Sequence, residues 1–215
     1  MKKLESSLRN MILSLSLIAA IVTALLAYVN QLTAGPIAEA NKKALNDALH
    51  EVLVEGSTVE EPKEVEVNGE TYKIYKANKD GAFVGAAIES AANGFGGTLK
   101  VLVGFDKEGN VLNYSILESS ETPGLGSKAD KWFKKEGKGD ITGMNPGKQL
   151  LSVTKDGGSV DAITASTITS RAFLHAINNA YAAYSGQAVD TNSGASEQAD
   201  KSAKVSTINE ERSRL

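Results

Sequence analysis

An uncharged apolar block near the N-terminus constrains this chain more than any other feature. Residues Met11 to Val29 read MILSLSLIAAIVTALLAYV, and the run without a charged side chain continues until Glu39. As a helix, this apolar block would extend about 28 Å, close to the roughly 30 Å hydrocarbon core of a bilayer. The sequence therefore predicts a short N-terminal segment of residues 1–10 and a transmembrane helix over residues 11–33.

Basic residues predict the orientation of this helix. Lys2, Lys3 and Arg9 precede the apolar block, and the next basic residues, Lys42 and Lys43, lie well beyond it. Since Lys and Arg favour the cytoplasmic side of a membrane, we expect a cytoplasmic N-terminus, contact with membrane lipid, and an extracytoplasmic location for the rest of the chain.

A cleaved signal peptide is the alternative reading of the same block. The block is longer than the usual apolar region of a signal peptide, and residues 32–34, Leu-Thr-Ala, form a poor cleavage site. These two features favour an uncleaved anchor.

Composition excludes several classes of protein. The chain has 23 basic and 26 acidic residues, so it lacks the basic excess of a nucleic-acid-binding protein. It has no cysteine and two histidines, which excludes disulfide scaffolds, thiol nucleophiles, iron–sulfur clusters and thiolate zinc sites. We expect no metal site, and no nucleophile–base pair can be named as catalytic. Redox chemistry in such a chain would need an organic cofactor.

Residues 34–184 have the pattern of one α+β domain with a mostly antiparallel sheet. Gly35–Pro36 predicts the end of the membrane helix or a kink just beyond it. Alternating apolar residues, with a hairpin signal at Asn68–Gly69, predict the strands, and helical spacing predicts an amphipathic helix on either side of them. The predicted elements are helices over 37–54 and 164–184, and strands over 64–67, 71–77, 82–89, 97–105, 111–117 and 149–153.

The last residues, 185–215, differ from the domain in composition. They contain no aromatic residue and few large apolar ones. Such a segment buries too little apolar surface to offset its ordering entropy, so we expect a flexible tail.

Two segments rich in glycine and hydroxyl groups are candidates for a binding site. The first, residues 119–126, reads SSETPGLG; it is either an ordinary tight turn or a loop that lies against a flat ligand. The second, residues 161–170, reads DAITASTITS at the start of the last helix. Its hydroxyl groups either cap that helix or accompany an anion at its N-terminus.

A third glycine cluster, residues 93–97 (NGFGG), is not a dinucleotide fingerprint. That fingerprint follows a strand and opens a helix, whereas a strand-like segment follows here. We interpret the cluster as a bend that can line a pocket.

Taken together, these segments resemble a known family. The membrane anchor, the GFGGTLKVLVGFDKEGNV stretch, the ETPGLG loop and the DAITASTITSRAF segment occur in this order. They are similar to the FMN-binding domain of the G subunit of Rnf-type ion-translocating ferredoxin:NAD oxidoreductases. The C subunit of the Na+-translocating NADH:quinone reductase shares this domain. The resemblance runs from the membrane helix to about residue 184.

The resemblance implies one covalently bound FMN per chain. In this family an ApbE-like flavin transferase attaches FMN through its phosphate to the threonine of a D-x-x-S/T-G-A-T motif. Asp161, Thr164 and Thr167 match that motif, while Ala165 replaces its glycine and Ser166 its alanine. Thr167 falls on the acceptor position.

The same resemblance implies the remaining contacts of the cofactor. Glu121, Thr122 and Leu125 are expected against the isoalloxazine ring or the ribityl chain, and Gly124 and Gly126 allow close approach of the backbone. Thr164, Ala165 and Ser166 surround the attachment point.

The function implied is that of an electron-carrier subunit in the bacterial inner membrane. With its partner subunits it would couple electron transfer to Na+ or H+ translocation, without being an enzyme by itself. The alternatives are a subunit like the quinone-reductase C subunit, or a membrane-anchored FMN-binding sensor or binding module. Because the apolar block holds no ionisable residue, this chain offers no ion path of its own.

Overall fold

The computed structural model describes residues 8–67 and 69–186. The chain divides into two compact units, one up to Leu45 and one from Asn46 onward. The first unit consists of the greater part of helix α1, which runs from Leu8 to Val52. Among the described residues, α1 is the one helix that is long and apolar enough to cross a membrane, judged by its length and composition.

Helix α1 does not end at Gly35–Pro36, so the predicted helix end was wrong, while the alternative of a kink there stays a prediction. Pro36 lies inside the helix, and the segment predicted as a separate helix over 37–54 is its continuation. Proline removes one backbone hydrogen bond, to the carbonyl four residues earlier. The surrounding residues are mainly Ala, Leu, Lys, Asn and Glu, several of which are strong helix formers, so the helix continues past the proline.

The second unit is built on an antiparallel sheet, which confirms the predicted α+β class. The strands are β1 (Thr58–Val59), β2 (Lys63–Val67), β3 (Glu70–Lys79), β4 (Ala82–Asn93), β5 (Thr98–Asp106) and β6 (Val111–Ser119). Their order in the sheet is β1-β3-β4-β5-β6, and β2 pairs with β3 outside this path. Val67 pairs with Glu70, so the predicted hairpin forms; its turn residue Asn68 lies outside the described residues.

In the part of the chain that the structure describes, two α-helices follow the sheet. The short helix α2 spans Ala129–Trp132 after a 3-10 turn over Gly126–Lys128, and α3 spans Thr167–Ser185. The buried face of α3 packs on β4 and β5, and the rings of Phe133 and Phe173 stack with centroids 4.4 Å apart. This helix and the sheet enclose the hydrophobic core.

The end of α1 touches the opposite face of the sheet at Gly104. Val103 and Phe105 belong to the core beneath α3, so Gly104 between them faces the other way. A Cβ on Gly104 would collide with the carbonyl oxygen of Val52. Val52 therefore approaches β5 so closely that a strand residue without a side chain is needed there.

One predicted strand and the predicted start of the last helix differ clearly from the structure. No strand forms over 149–153; instead Leu151 exchanges two hydrogen bonds with the side chain of Asn178, and Val153 makes an isolated parallel bridge to Val160. Helix α3 begins at Thr167 rather than Thr164, because Ala165 has a left-handed backbone, with φ of 62°. Of the predicted tail, residues from 187 onward lie outside the described part of the chain.

Candidate functional site

The candidate site is a cavity of about 540 Å³ between the glycine-rich segments and the start of α3. Its volume is in the range of small-molecule pockets, roughly 300–1,000 Å³. The lining residues are Phe95, Glu121, Thr122, Leu125, Gly126, Lys155, Ala165, Ser166, Thr167, Ile168, Thr169 and Arg171.

The first wall comes from the turn between β4 and β5. The backbone N–H of Gly94 donates to the carbonyl of Gly97 at 2.9 Å, which closes the bend expected from the glycine cluster. Phe95 stands on this bend with 70% of its surface exposed. An exposed aromatic ring beside a cavity provides a flat apolar surface for a ligand.

Glu121 joins three parts of the site. Its Oε1 accepts the backbone N–H of Phe95 at 2.7 Å, and its Oε2 accepts the Thr169 hydroxyl at 2.9 Å. The side chain is only 7% exposed. A buried carboxylate with both oxygens hydrogen-bonded is satisfied by the protein itself, so Glu121 holds the β4–β5 turn, its own loop and α3 together.

Two glycines make room for this carboxylate. A Cβ on Gly94 would collide with Oε1 of Glu121, and a Cβ on Gly126 would collide with Oε2. A side chain at either position would therefore displace the Glu121 carboxylate from its present place.

The segment from Thr122 to Ser127 is a tight turn and also part of the cavity wall. The carbonyl of Thr122 accepts the N–H of Leu125 at 3.1 Å, and the N–H of Gly124 donates to the Ser127 hydroxyl at 2.9 Å. Gly124 has φ of 76°, a conformation that favours glycine. The two readings of this segment are therefore compatible, since a turn of this shape presents Leu125, 40% exposed, to the cavity.

At the start of α3, the hydroxyl groups do not cap the helix as expected. Ser166 occupies the N-cap position, but it makes no side-chain hydrogen bond to the first turn. Its side chain is buried, and its carbonyl accepts the Ser170 hydroxyl. Thr167 is half-buried and contributes to the cavity. The first residue of the helix thus presents a hydroxyl to the site.

Two basic residues lie beside Thr167. The ammonium of Lys155 donates to the Thr167 hydroxyl at 3.2 Å. The guanidinium of Arg171 makes a bidentate pair with Asp156, with N–O distances of 2.7 and 2.6 Å. This end of the cavity combines cations, a hydroxyl and a helix N-terminus, which together suit an anionic group.

The structure brings together most of the predicted site residues. Gly124 and Thr164 are not among the residues that line the cavity. Sequence reasoning did not assign Lys155, Ile168 or Arg171 to a site, and Phe95 entered only as part of a bend. The residues in the predicted set that do line the cavity are Glu121, Thr122, Leu125, Gly126, Ala165, Ser166 and Thr167.

The donor set and shape of the cavity fit FMN. Phe95, Leu125 and Ile168 supply apolar surface for a flat ring, while Lys155 and Thr167 supply charge and a hydroxyl for a phosphate. Within residues 8–67 and 69–186, no group of three His, Cys, Asp or Glu side chains is arranged to hold a metal ion.

Comparisons with known families match both parts of the chain. The model of an FMN-binding domain matches residues 94–182, which include every residue lining the cavity. A model described as the RnfG N-terminal region matches residues 1–52.

Individual relatives match over most of their length. The G subunit of an ion-translocating oxidoreductase complex from Yersinia pestis is 37% identical over 78% of this chain and 86% of its own. Its counterpart from Photorhabdus laumondii is 35% identical over 77% of this chain and 84% of its own. The G subunit of the Na+-translocating ferredoxin:NAD+ oxidoreductase complex of Acetobacterium woodii is 32% identical over 80% of this chain and 89% of its own. The chain therefore belongs to the family of G subunits of ion-translocating oxidoreductase complexes.

Proposed function

We propose that this chain is the FMN-carrying electron-transfer subunit of an Rnf-type membrane complex. The observation that carries the proposal is the cavity, in which apolar walls lead to a threonine hydroxyl at the start of α3. A flavin ring suits the apolar walls, and its phosphate suits the helix start. The protein would position the flavin and tune its potential, while the cofactor supplies the redox chemistry.

Thr167 is the proposed point of covalent attachment. Its side chain contributes to the cavity and is half-buried, whereas Ser166 is buried and Thr164 is not among the lining residues. A hydroxyl that must be reached by a second protein needs this exposure. Thr167 is therefore favoured over Ser166, which is buried, and over Thr164, which is exposed but does not line the cavity.

Attachment joins the Oγ of Thr167 to the phosphorus of FMN. Free FMN would have to release water, so an activated donor is needed, and we assign that role to a flavin dinucleotide held by an ApbE-like transferase. The Oγ–P bond forms as the P–O bond of the pyrophosphate breaks. A nucleoside monophosphate leaves, the hydroxyl proton passes to a base of the transferase, and no electrons are exchanged.

In the assembled complex, this subunit would relay electrons between neighbouring redox subunits while other subunits move Na+ or H+. The uncharged segment from Met11 to Val29 serves as an anchor rather than an ion path, since it has no ionisable residue. The proposed topology is a single pass through the inner membrane, with a cytoplasmic N-terminus and an extracytoplasmic FMN domain. Of the loop residues, Thr122 and Leu125 would contact the flavin, and Glu121 would hold that loop in place and border the same cavity.

The test is flavin fluorescence of the chain on a denaturing gel, with its intact mass, after production with and without the transferase. We expect a fluorescent band and a mass gain of FMN minus water only when the transferase is present. Thr167→Ala removes the acceptor oxygen and should abolish both signals in a folded chain.

Ser166→Ala is the matched control, and it should remain fluorescent because its hydroxyl is buried. A dark wild-type band beside a fluorescent positive-control flavoprotein would contradict covalent attachment. Fluorescence retained in Thr167→Ala would move the site to another hydroxyl. An active intact complex without flavin on this subunit would contradict the relay role.

A further inference from the structure

The fold places Lys155 beside the hydroxyl of Thr167, the proposed acceptor. It lies in the 3-10 turn Thr154–Asp156, which is closed by hydrogen bonds from Asp156 to Val153 and from Gly157 to Thr154. The turn is fastened to α3 by the bidentate pair of Asp156 with Arg171. These contacts bring the ammonium of Lys155 within 3.2 Å of the Thr167 oxygen.

The charges around this turn leave Lys155 available for an anion. The guanidinium of Arg171 is engaged by Asp156, which offsets its charge. In the part of the chain that the structure describes, residues 8–67 and 69–186, the Lys155 ammonium forms no ion pair with a carboxylate. Its hydrogen bond goes to the hydroxyl of Thr167. A flexible cation beside an uncharged acceptor can take up a second, anionic partner.

We propose that Lys155 binds the phosphate oxygens of the flavin at Thr167, so that it is the residue that distinguishes a phosphorylated flavin from an unphosphorylated one. This inference rests on the proposed function and adds a specificity residue to it. The phosphate would meet the Lys155 ammonium on one side and the start of α3 on the other. The apolar walls would hold the ring equally well in either compound.

The test compares FMN with riboflavin on the full chain in detergent, produced without the transferase so that Thr167 is unmodified. Quenching of flavin fluorescence gives the dissociation constant of each compound. We expect the wild-type chain to bind FMN roughly tenfold more tightly than riboflavin, as a charge-assisted hydrogen bond to phosphate would provide. Added salt should weaken this preference, because the Lys155 side chain is exposed to solvent.

Lys155→Gln keeps a hydrogen-bond donor and removes the charge, so it should lose most of the preference while its affinity for riboflavin stays unchanged. Lys155→Arg should retain the preference. Lys148→Gln is the matched control, an exposed lysine that is not among the lining residues, and it should behave as the wild-type chain does.

Three results would overturn the proposal: no preference for FMN in the wild-type chain, a preference retained by Lys155→Gln, or an equal loss of riboflavin affinity in that variant. The last would mean that Lys155 only supports the fold of the cavity. Failure of covalent loading is a separate result, since the comparison of FMN with riboflavin uses the unloaded chain.

Discussion

Ala165 is one of two residues at which this chain departs from the D-x-x-S/T-G-A-T motif that its family resemblance implies for flavin attachment. It replaces the motif's glycine and adopts φ of 62°. For alanine, left-handed geometry costs about 1–2 kcal/mol, because its Cβ crowds the following carbonyl oxygen. The turn before α3 therefore has the left-handed backbone that favours glycine, although alanine occupies the position.

Ala165→Gly should increase the free energy of unfolding by about 0.5–1 kcal/mol. The strain removed exceeds the extra freedom that glycine adds to the unfolded chain. Denaturant unfolding of the chain in detergent measures the change. Ala162→Gly is the control, since φ at Ala162 is not positive, and it should destabilise the domain. If both variants lowered the free energy of unfolding equally, backbone strain at Ala165 would be contradicted.

Glu121 provides a second prediction for a single residue. Glu121→Ala leaves the Phe95 N–H and the Thr169 hydroxyl without their acceptor and should lower the free energy of unfolding by about 2–3 kcal/mol. Glu121→Gln keeps one acceptor oxygen and adds an N–H donor, so it should lower the free energy of unfolding by about 1 kcal/mol. In the loaded protein, the alanine variant should show an altered flavin spectrum without release of the flavin.

Exposed Glu118 provides the comparison for Glu121. Glu118→Ala should change neither unfolding nor the flavin spectrum. If alanine at 118 and at 121 destabilised the domain equally, Glu121 would not be the link between the loop, the turn and α3.

Among the elements, strands β3, β4 and β5 are joined by a polar network centred on Glu89. The Tyr75 hydroxyl donates a hydrogen bond to Oε1 of Glu89. The Lys100 ammonium lies 2.7 Å from Oε2 of the same carboxylate. Burial acts to raise the pKa of Glu89, but these hydrogen bonds and the charges of Lys100 and Lys73 outweigh it and hold the pKa below its ordinary value of 4.5. The charged form is therefore favoured by folding.

A lowered pKa means that Glu89 stabilises the domain above pH 4.5 and that this contribution is lost as the pH falls through the folded-state pKa. Glu89→Gln should reduce the free energy of unfolding by about 1–2 kcal/mol at pH 7. The difference in the free energy of unfolding between this variant and the wild-type chain should become smaller below pH 4.5. Denaturant unfolding from pH 7 to pH 3 measures this, with exposed Glu66→Gln as the control. A gap independent of pH would contradict the role of the charge.

For the whole molecule, the proposed topology has a direct test because the chain contains no cysteine. Single cysteines introduced as Ser6→Cys and Thr142→Cys report the two sides of the membrane without background. In spheroplasts, a membrane-impermeant maleimide should label the variant at 142. It should label the variant at 6 only after lysis, as the basic residues before the apolar block imply. Labelling in the reverse pattern would overturn the topology.

The fold class could be predicted from the sequence because its signals are local. The uncharged run of α1, the alternation in the strands and the spacing of the last helix each depend on neighbours within a few residues. The family resemblance depends on motifs of the same kind, and the relatives confirm it. The predicted helix end at Gly35–Pro36 was wrong, because this local helix-breaking signal was outweighed by the helix-forming residues around it.

The sequence alone determined which segments are apolar, where the chain turns, and that a hydroxyl-rich segment precedes a late helix. Only the tertiary structure decided which side chains meet at the cavity. Lys155 reaches Thr167 across 12 residues, Phe95 meets Glu121 across 26, and Glu121 meets Thr169 across 48. No local pattern encodes such contacts, because they exist only once the sheet has brought distant loops to one end of α3.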